Sequence, residues 1–362
     1  MQAAVFTGAN RPLELETLEV DEPRAGEVRV RMLASGICHS DLHVVEGEWP
    51  EDPPIVLGHE GFGEVEAVGD AVAGVAAGDR VVLSWYAPCG MCDRCLEGRP
   101  WICQRSSSDD HLMSDGTARL RRSGGEAVRS YLGVGSFGER AVVAAAAAVP
   151  VPPELPAEVG ALIGCGVTTG VGAVVNTARV EPGSSAVVIG CGGVGLSVVL
   201  GLALAGADPI IAVDLHDEKL DMARDLGATH AVRGGEGAGA DVAAIIPGGP
   251  DHVFEAIGLV PTIEWGLSIM PKGGTLTLVG MTPSGQHVRI DPLDFSSAGK
   301  TLLGCTYGSS RPGADFPRLA RLHLAGRLPI DRMITGRTGL DGVNDAFDLM
   351  RRGEGARTVI VY

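Results

Sequence analysis

The segment Ala186-Val187-Val188-Ile189-Gly190-Cys191-Gly192-Gly193-Val194-Gly195 begins as a short apolar run and ends in glycines. Its three consecutive β-branched residues favour a buried strand, and the Leu- and Ala-rich run after the last glycine favours a helix. A second β-branched run, Ile210-Ile211-Ala212-Val213, stops at Asp214. Strand, glycine turn, helix, strand and terminal acid together mark a dinucleotide site, although the glycine spacing alone is a weak sign. Gly190 makes the turn, Gly192 lets the backbone approach a pyrophosphate, and Gly195 lets helix and strand pack closely. Gly193 and Val194 open the helix, whose unpaired N–H groups and positive dipole end suit phosphate oxygens. Asp214 can accept hydrogen bonds from both adenosine ribose hydroxyls, and its charge repels a 2′-phosphate. NAD is therefore expected rather than NADP; a helix cap is the plainer alternative for such an acid.

Working outward, helical and strand patterns keep alternating: a helix over 217–226, a strand at 252–256, a helix over 262–269, and strands at 275–279 and 302–306. That order predicts a doubly wound parallel sheet covered on both faces. Upstream, Pro150, Pro152, Pro153 and Pro156 break the chain, and before them the hydrophobic period is two. Strands are expected at 2–6, 13–20, 27–34, 81–83 and 137–151, the last including the alanine run 144–148. The result is a β-rich, barrel-like domain with a mostly antiparallel sheet. A long surface loop is expected over 104–135, and a helix over 158–179 interrupted at Gly164-Cys165-Gly166. After residue 307 come helices at 316–325 and 343–351 and a strand at 358–361. The expected division is a dinucleotide-binding domain at 159–306, with 1–158 and 307–362 forming the other domain.

The chain of 362 residues carries a net charge of −16, which disfavours nucleic acid and anionic membranes as partners. The cluster Arg119, Arg121, Arg122 is too short to change this and reads as a solvated loop. Residues 1–7 lack the basic start and long apolar stretch of a secretory signal. The uncharged run 186–207 fits a strand, turn and helix better than a membrane span, because it is rich in glycine. Eight cysteines without an export signal point to the reducing cytoplasm, where clustered thiols bind metal. Cys89, Cys92, Cys95 and Cys103 have the spacing to wrap one zinc as a closed four-thiolate tetrahedron, with no position left for substrate.

A second cluster is Gly36-Ile37-Cys38-His39-Ser40-Asp41-Leu42-His43, which offers a thiolate, a hydroxyl and imidazoles in eight residues. Alone it is a weak metal signal. Joined to Gly58-His59-Glu60, the four-cysteine lobe, Gly164-Cys165-Gly166-Val167-Thr168-Thr169-Gly170 and the glycine turn, it resembles the zinc-dependent alcohol dehydrogenases of the medium-chain dehydrogenase/reductase family. The likeness runs from Gln2 to Tyr362.

The resemblance implies a GroES-like catalytic domain and a Rossmann domain, with two zinc ions per chain and NAD. It implies that Cys38, His59 and Cys165 hold a catalytic zinc with one open position, and that Glu60 is a carboxylate beside that shell. Two thiolates and one imidazole suit such an ion, leaving it net neutral and Lewis-acidic. By the same resemblance Ser40 receives the substrate's proton and His43 releases it at the surface, while Asp41 orients the turn or a neighbouring imidazole. His39, Thr169, Lys219 and Arg357 fall on cofactor-contact positions; His39 stands where some members carry arginine, so the grip there is weaker and more pH-dependent. Trp49 and Trp85 stand at pocket positions and imply a bulky aromatic wall.

The expected function is hydride transfer between an alcohol, primary and of aromatic or medium size, and NAD, giving the aldehyde. Three alternatives stay open: an aldehyde or iminium reductase of a biosynthetic pathway, a thiol-adduct-dependent formaldehyde dehydrogenase, and a non-catalytic NAD- or zinc-binding protein. A homodimer is expected from the long loop, with a homotetramer as the alternative.

Overall fold

In the computed structural model the apolar run at 186–189 forms the strand Ala186–Ile189, inside a six-stranded parallel sheet. The structure describes residues 1–106 and 110–362. The strand order is His230–Arg233, Ile210–Asp214, Ala186–Ile189, His252–Glu255, Thr275–Leu278 and Thr301–Gly304, with every pairing parallel. This is the doubly wound order expected from the alternation, and its direction reverses where the glycine turn leaves the sheet. All four residues of Ala186–Ile189 are buried, which explains a run without a polar face. The strand His230–Arg233 escapes the sequence reading because it lies at the sheet edge and buries only Val232 fully. This sheet belongs to a unit of Gly166–Ser310 and Arg327–Met333.

The other unit comprises Met1–Cys165, Arg311–Gly326 and Ile334–Tyr362. Its centre is the ten-residue strand Glu27–Gly36, which pairs with Glu60–Val68, Arg140–Ala144 and Arg357–Val361. Alternate side chains of that strand, Val28, Val30 and Met32, enter one core cluster. Its far end brings Gly36 opposite Glu60 on one side and Val359 on the other. That register gathers the sequence-distant pieces of the site. A second sheet of six strands, including Gln2–Phe6, Ile55–Val56 and Ala127–Ser130, encloses a further apolar cluster around Phe6, Leu42, Phe137 and Phe347.

Several expectations are corrected. The segment 104–135 is not one long loop: Leu120–Arg121 and Ala127–Ser130 pair with each other and with the second sheet. Residues 107–109 of that segment lie outside the described residues. The alanine run does not continue a strand, because Ala145–Ala147 is a 3-10 turn between Arg140–Ala144 and Ala148–Pro150. The segment 13–20 is two strands, Glu14–Thr17 and Glu19–Val20, broken at the buried Leu18. The helix expected from 316 starts earlier, at Pro312, a residue suited to a first turn. The helix expected to break at Gly164-Cys165-Gly166 instead runs through Ala157–Ala178, with π-helical turns at Ile163–Val167 and Ala173–Ala178. It is long and apolar enough to cross a membrane, yet 89% of its apolar window is buried inside the protein.

The arginine cluster is also corrected. Arg119 is 2% exposed, and its Nε and Nη2 donate to Glu27 at 2.8 and 2.5 Å, with Asp115 at 2.8 Å from Nη2. Arg121 and Arg122 pair with Asp21 and Glu16. Charge spacing along the chain gave no sign of carboxylates so far away in sequence. Arg119→Ala should destabilise its unit by roughly 3–5 kcal/mol, because it strands a buried carboxylate. Denaturant unfolding checks this, and a loss below about 1 kcal/mol would show that Glu27 finds solvent.

Candidate active site

The strand Glu27–Gly36 ends at Gly36, and Cys38 follows as the residue preceding helix His39–Val45. His59 and Glu60 stand at the start of the neighbouring strand Glu60–Val68, after Gly58 turns with φ +85°. A Cβ at Gly58 would lie 2.4 Å from the Phe137 ring, so that turn admits only glycine. Cys165 comes from the π-helical turn Ile163–Val167, a deformation that occurs often at functional sites. These elements bring the donor atoms of Cys38, His59, Glu60 and Cys165 within 4.8 Å of one another, all four residues buried.

Asp41 organises the cluster. Its Oδ1 accepts from Gly58 N at 2.9 Å and lies 3.2 Å from His59 Nδ1, and its Oδ2 accepts from Cys38 N at 3.4 Å. One carboxylate thus ties both ligand-bearing segments together and leaves His59 Nε2 for a metal, the usual arrangement of a zinc histidine, whose other ring nitrogen donates to a carboxylate. Burial opposes the charged His59 ring, but the Asp41 and Cys38 charges outweigh it and hold the group well above its ordinary value. The hydrogen bond from Cys165 draws the Cys38 thiol well below its usual range, against the effect of burial. The same bond, with burial, pushes Cys165 up. The donor set of two sulfurs and one imidazole in a buried site fits zinc, and a bound cation would hold both sulfurs as thiolates.

Glu60 also forms a buried ion pair with Arg357, while a carboxylate oxygen of Glu60 stays within 4.8 Å of the Cys38, His59 and Cys165 donors. A Cβ at Gly36 would lie 1.9 Å from Glu60 Oε2 and 3.1 Å from Arg357 Nη2, so the glycine that opens the Gly36 to His43 stretch makes room for this pair. Arg357, assigned from sequence to the cofactor, therefore sits with its guanidinium on Glu60. Ser40 Oγ lies 3.7 Å from Cys38 Sγ. His43 is half-buried, with Nδ1 at 2.5 Å from Glu48 Oε2 and its ring 4.7 Å from that of Trp49. His39 is exposed, with its ring 5.5 Å from that of His43.

Cys89, Cys92, Cys95 and Cys103 form the second group whose donor atoms fall within 4.8 Å of one another. Backbone N–H groups of Cys92, Cys89 and Arg105 point at the Cys89 and Cys103 sulfurs at 3.3 to 3.4 Å, the donors a bound thiolate needs. Backbone donation from Cys95 and Gln104 draws the Cys92 thiol down to about 6. Four sulfurs close this shell, so it fits a structural zinc.

In the parallel-sheet unit, Gly190 turns with φ +91°, and a Cβ there would meet the Ile257 side chain at 2.4 Å. A Cβ at Gly195 would meet Gly190 O at 1.8 Å, the close helix–strand packing expected of it. Among the described residues nothing lies within 4 Å of where a Gly192 side chain would be, so the space above the backbone is open to a phosphate. Gly193 and Val194 start the helix Gly193–Ala205, with no side chain capping its first N–H groups. Asp214 accepts from Cys191 N at 2.7 Å and His216 N at 3.0 Å, which fixes its carboxylate at the strand end beside the turn. Lys219 and Thr169 are half-buried, on helix Asp217–Asp225 and on Ala157–Ala178 respectively. These features fit a dinucleotide.

Sequence reasoning missed Tyr131 and His111. Tyr131 is buried, its ring edge-on to His59 at 5.9 Å and 5.1 Å from His111. Burial, with the charges of Asp41 and Glu51 and of the Cys38 and Cys165 sulfurs, pushes its phenol well above the ordinary range, which places it among the site's charges. His111 O accepts from Ser130 N at 3.2 Å and His111 Nδ1 from Leu132 N at 3.1 Å, so one residue clamps both sides of Tyr131. Trp49 packs against the Phe6 and Phe137 cluster, and Trp85 packs edge-on against Tyr86 at 5.6 Å.

Two family descriptions match the chain: alcohol dehydrogenase GroES-like domain over residues 24–153, and zinc-binding dehydrogenase over 193–324. The chain is 38% identical to an alcohol dehydrogenase class-3 of Cereibacter sphaeroides, covering 100% of this chain and 99% of that protein. It is 38% identical to an S-(hydroxymethyl)glutathione dehydrogenase of Paracoccus denitrificans, with the same coverage. The structure of benzyl alcohol dehydrogenase from Acinetobacter calcoaceticus matches with a TM-score of 0.90 and 34% identity, over 99% of this chain and 98% of that one.

Proposed function

The chain belongs to the zinc-dependent alcohol dehydrogenases of the medium-chain dehydrogenase/reductase family, and from that premise we propose that it oxidises a primary alcohol of aromatic or medium size to the aldehyde. It is an NAD-dependent oxidoreductase with zinc as its metal. The observation that carries the reading is the buried cluster of Cys38, His59 and Cys165, three donors with Glu60 drawn toward Arg357. When bound, zinc supplies a Lewis acid that acidifies an alcohol or polarises a carbonyl, and NAD supplies the hydride acceptor.

The chain's own residues supply the rest. Asp41 holds Cys38 and His59 in register through hydrogen bonds to both segments. Ser40, beside the Cys38 sulfur, accepts the hydroxyl proton, and His43 passes it to solvent. Gly192 and the helix start at Gly193 receive the cofactor phosphates, Asp214 the ribose, and Lys219 and Thr169 its outer contacts. Tyr131, buried beside His59, excludes water and favours a flat substrate together with Trp49 and Trp85.

The second reading is oxidation of a thiol adduct of formaldehyde, supported by the names of the class-3 relatives. The similarity to a benzyl alcohol dehydrogenase supports the first reading. A substrate panel decides between them: kcat/KM for benzyl alcohol should exceed that for S-(hydroxymethyl)glutathione by about tenfold or more, a discrimination within reach of pocket contacts. The reverse ranking would install the second reading.

We assign a homodimer and a cytoplasmic setting. Thr301–Gly304 pairs on one side only, and Leu293, in the nearby helix Pro292–Ser297, is 77% exposed, a combination suited to a second copy. Light scattering should give twice the 37.3 kDa chain mass, and a monomer would end that assignment. All eight cysteines are free of disulfides, as a reducing compartment requires.

A further inference from the structure

We propose that Glu48 is a positioning residue for proton release, holding His43 in the tautomer and orientation that its role requires. The proposal rests on the reading of His43 as the surface base. Helix His39–Val45 ends just past His43, and the chain folds back so that His43 O accepts from Glu48 N at 2.9 Å and from Trp49 N at 3.2 Å. That turn sets Glu48 Oε2 at 2.5 Å from His43 Nδ1 and lays the Trp49 ring against the imidazole, with centroids 4.7 Å apart. The His43 side chain is 19% exposed and that of Glu48 41%, so the pair lies where the protein meets water.

An ionised carboxylate can only accept, so the proton of a neutral His43 lies on Nδ1 and the lone pair on Nε2. The imidazole is therefore presented as a base through one nitrogen. When Nε2 takes the proton, an N–H bond forms as the donor O–H breaks, with the electron pair staying on oxygen; no oxidant or reductant is involved. The imidazolium so formed keeps its Nδ1–H on the Glu48 carboxylate until Nε2 gives the proton to water. Glu48 itself takes no proton, and Trp49 limits rotation of the ring.

The test uses the intact zinc enzyme with Glu48→Ala, Glu48→Gln and His43→Ala. Nitrogen-15 spectra of labelled histidines should show His43 protonated on Nδ1 in the parent and as a tautomer mixture in Glu48→Ala. Single-turnover proton release, followed with a pH indicator, should slow about tenfold in Glu48→Ala and recover with added imidazole. Glu48→Gln, whose amide oxygen still accepts, should keep the tautomer and slow only about threefold. Both variants are surface changes and should leave the fold and the KM for NAD unaltered. If His43→Ala slows release and Glu48→Ala does not, the role of Glu48 is overturned while the His43 reading stands. If His43→Ala releases protons at the parent rate, the base reading itself falls, and this proposal with it.

Discussion

Cys38→Ser leaves one zinc per chain where the parent holds two, and turnover falls about a thousandfold or more, while the fold survives. The magnitude follows from losing several kcal/mol of charge stabilisation by a Lewis acid, at 1.36 kcal/mol for each factor of ten. The fold survives because the apolar clusters of that unit do not depend on the site and the four-cysteine lobe keeps its own metal. A serine hydroxyl is a poor substitute for a thiolate toward zinc. Metal analysis, circular dichroism and steady-state kinetics on one preparation check all three parts. Full activity with one zinc would remove Cys38 from the catalytic shell.

Asp214→Asn should narrow the preference for NAD over NADP by on the order of a hundredfold in kcat/KM. The carboxylate is fixed at the strand end by Cys191 N and His216 N, so it cannot swing away from a 2′-phosphate. Asparagine keeps an acceptor for one of these N–H groups and turns its amide N–H toward the other, so an unchanged KM for NAD must accompany the altered ratio for the effect to read electrostatics rather than collapse of the turn. The ratio for the two cofactors, measured at one ionic strength, is the readout. A parent enzyme that prefers NADP would overturn the assignment of Asp214 before any variant is made.

The parts legible in the sequence are those where the backbone itself dictates residue type. The turn at Gly190, Gly192 and Gly195 needs glycine for conformation, space and packing, and each reason leaves a mark that can be read without coordinates. The four-cysteine lobe is legible because its ligands are close in sequence. Cys38, His59 and Cys165 are far apart, and only the resemblance joined them; the structure brings them together through the strand register of Gly36 with Glu60 and the helix carrying Cys165. Arg119 and Tyr131 could not be read. Their partners Glu27 and His59 lie distant in sequence, and a polar, glycine-bearing stretch looks the same whether it is solvated or folded over a site. Glu48 was hidden for a different reason: its importance lies in a bend of the chain after His43, which no pattern in that segment announces.

The π-helical turn at Ile163–Val167 makes the catalytic shell sensitive to a count of residues rather than to their identity. Such a turn holds one residue more than an α-helical one, and successive residues on a regular helix are about 100° apart. Deleting a single residue upstream of Cys165 would let the helix relax to regular winding and carry the thiol round its axis, away from Cys38 and His59. Every ligand type would still be present in the sequence. In this stretch of the chain, insertions and deletions are therefore a harsher lesion than most substitutions, and an alignment gap here would signal lost chemistry even where all the motifs survive.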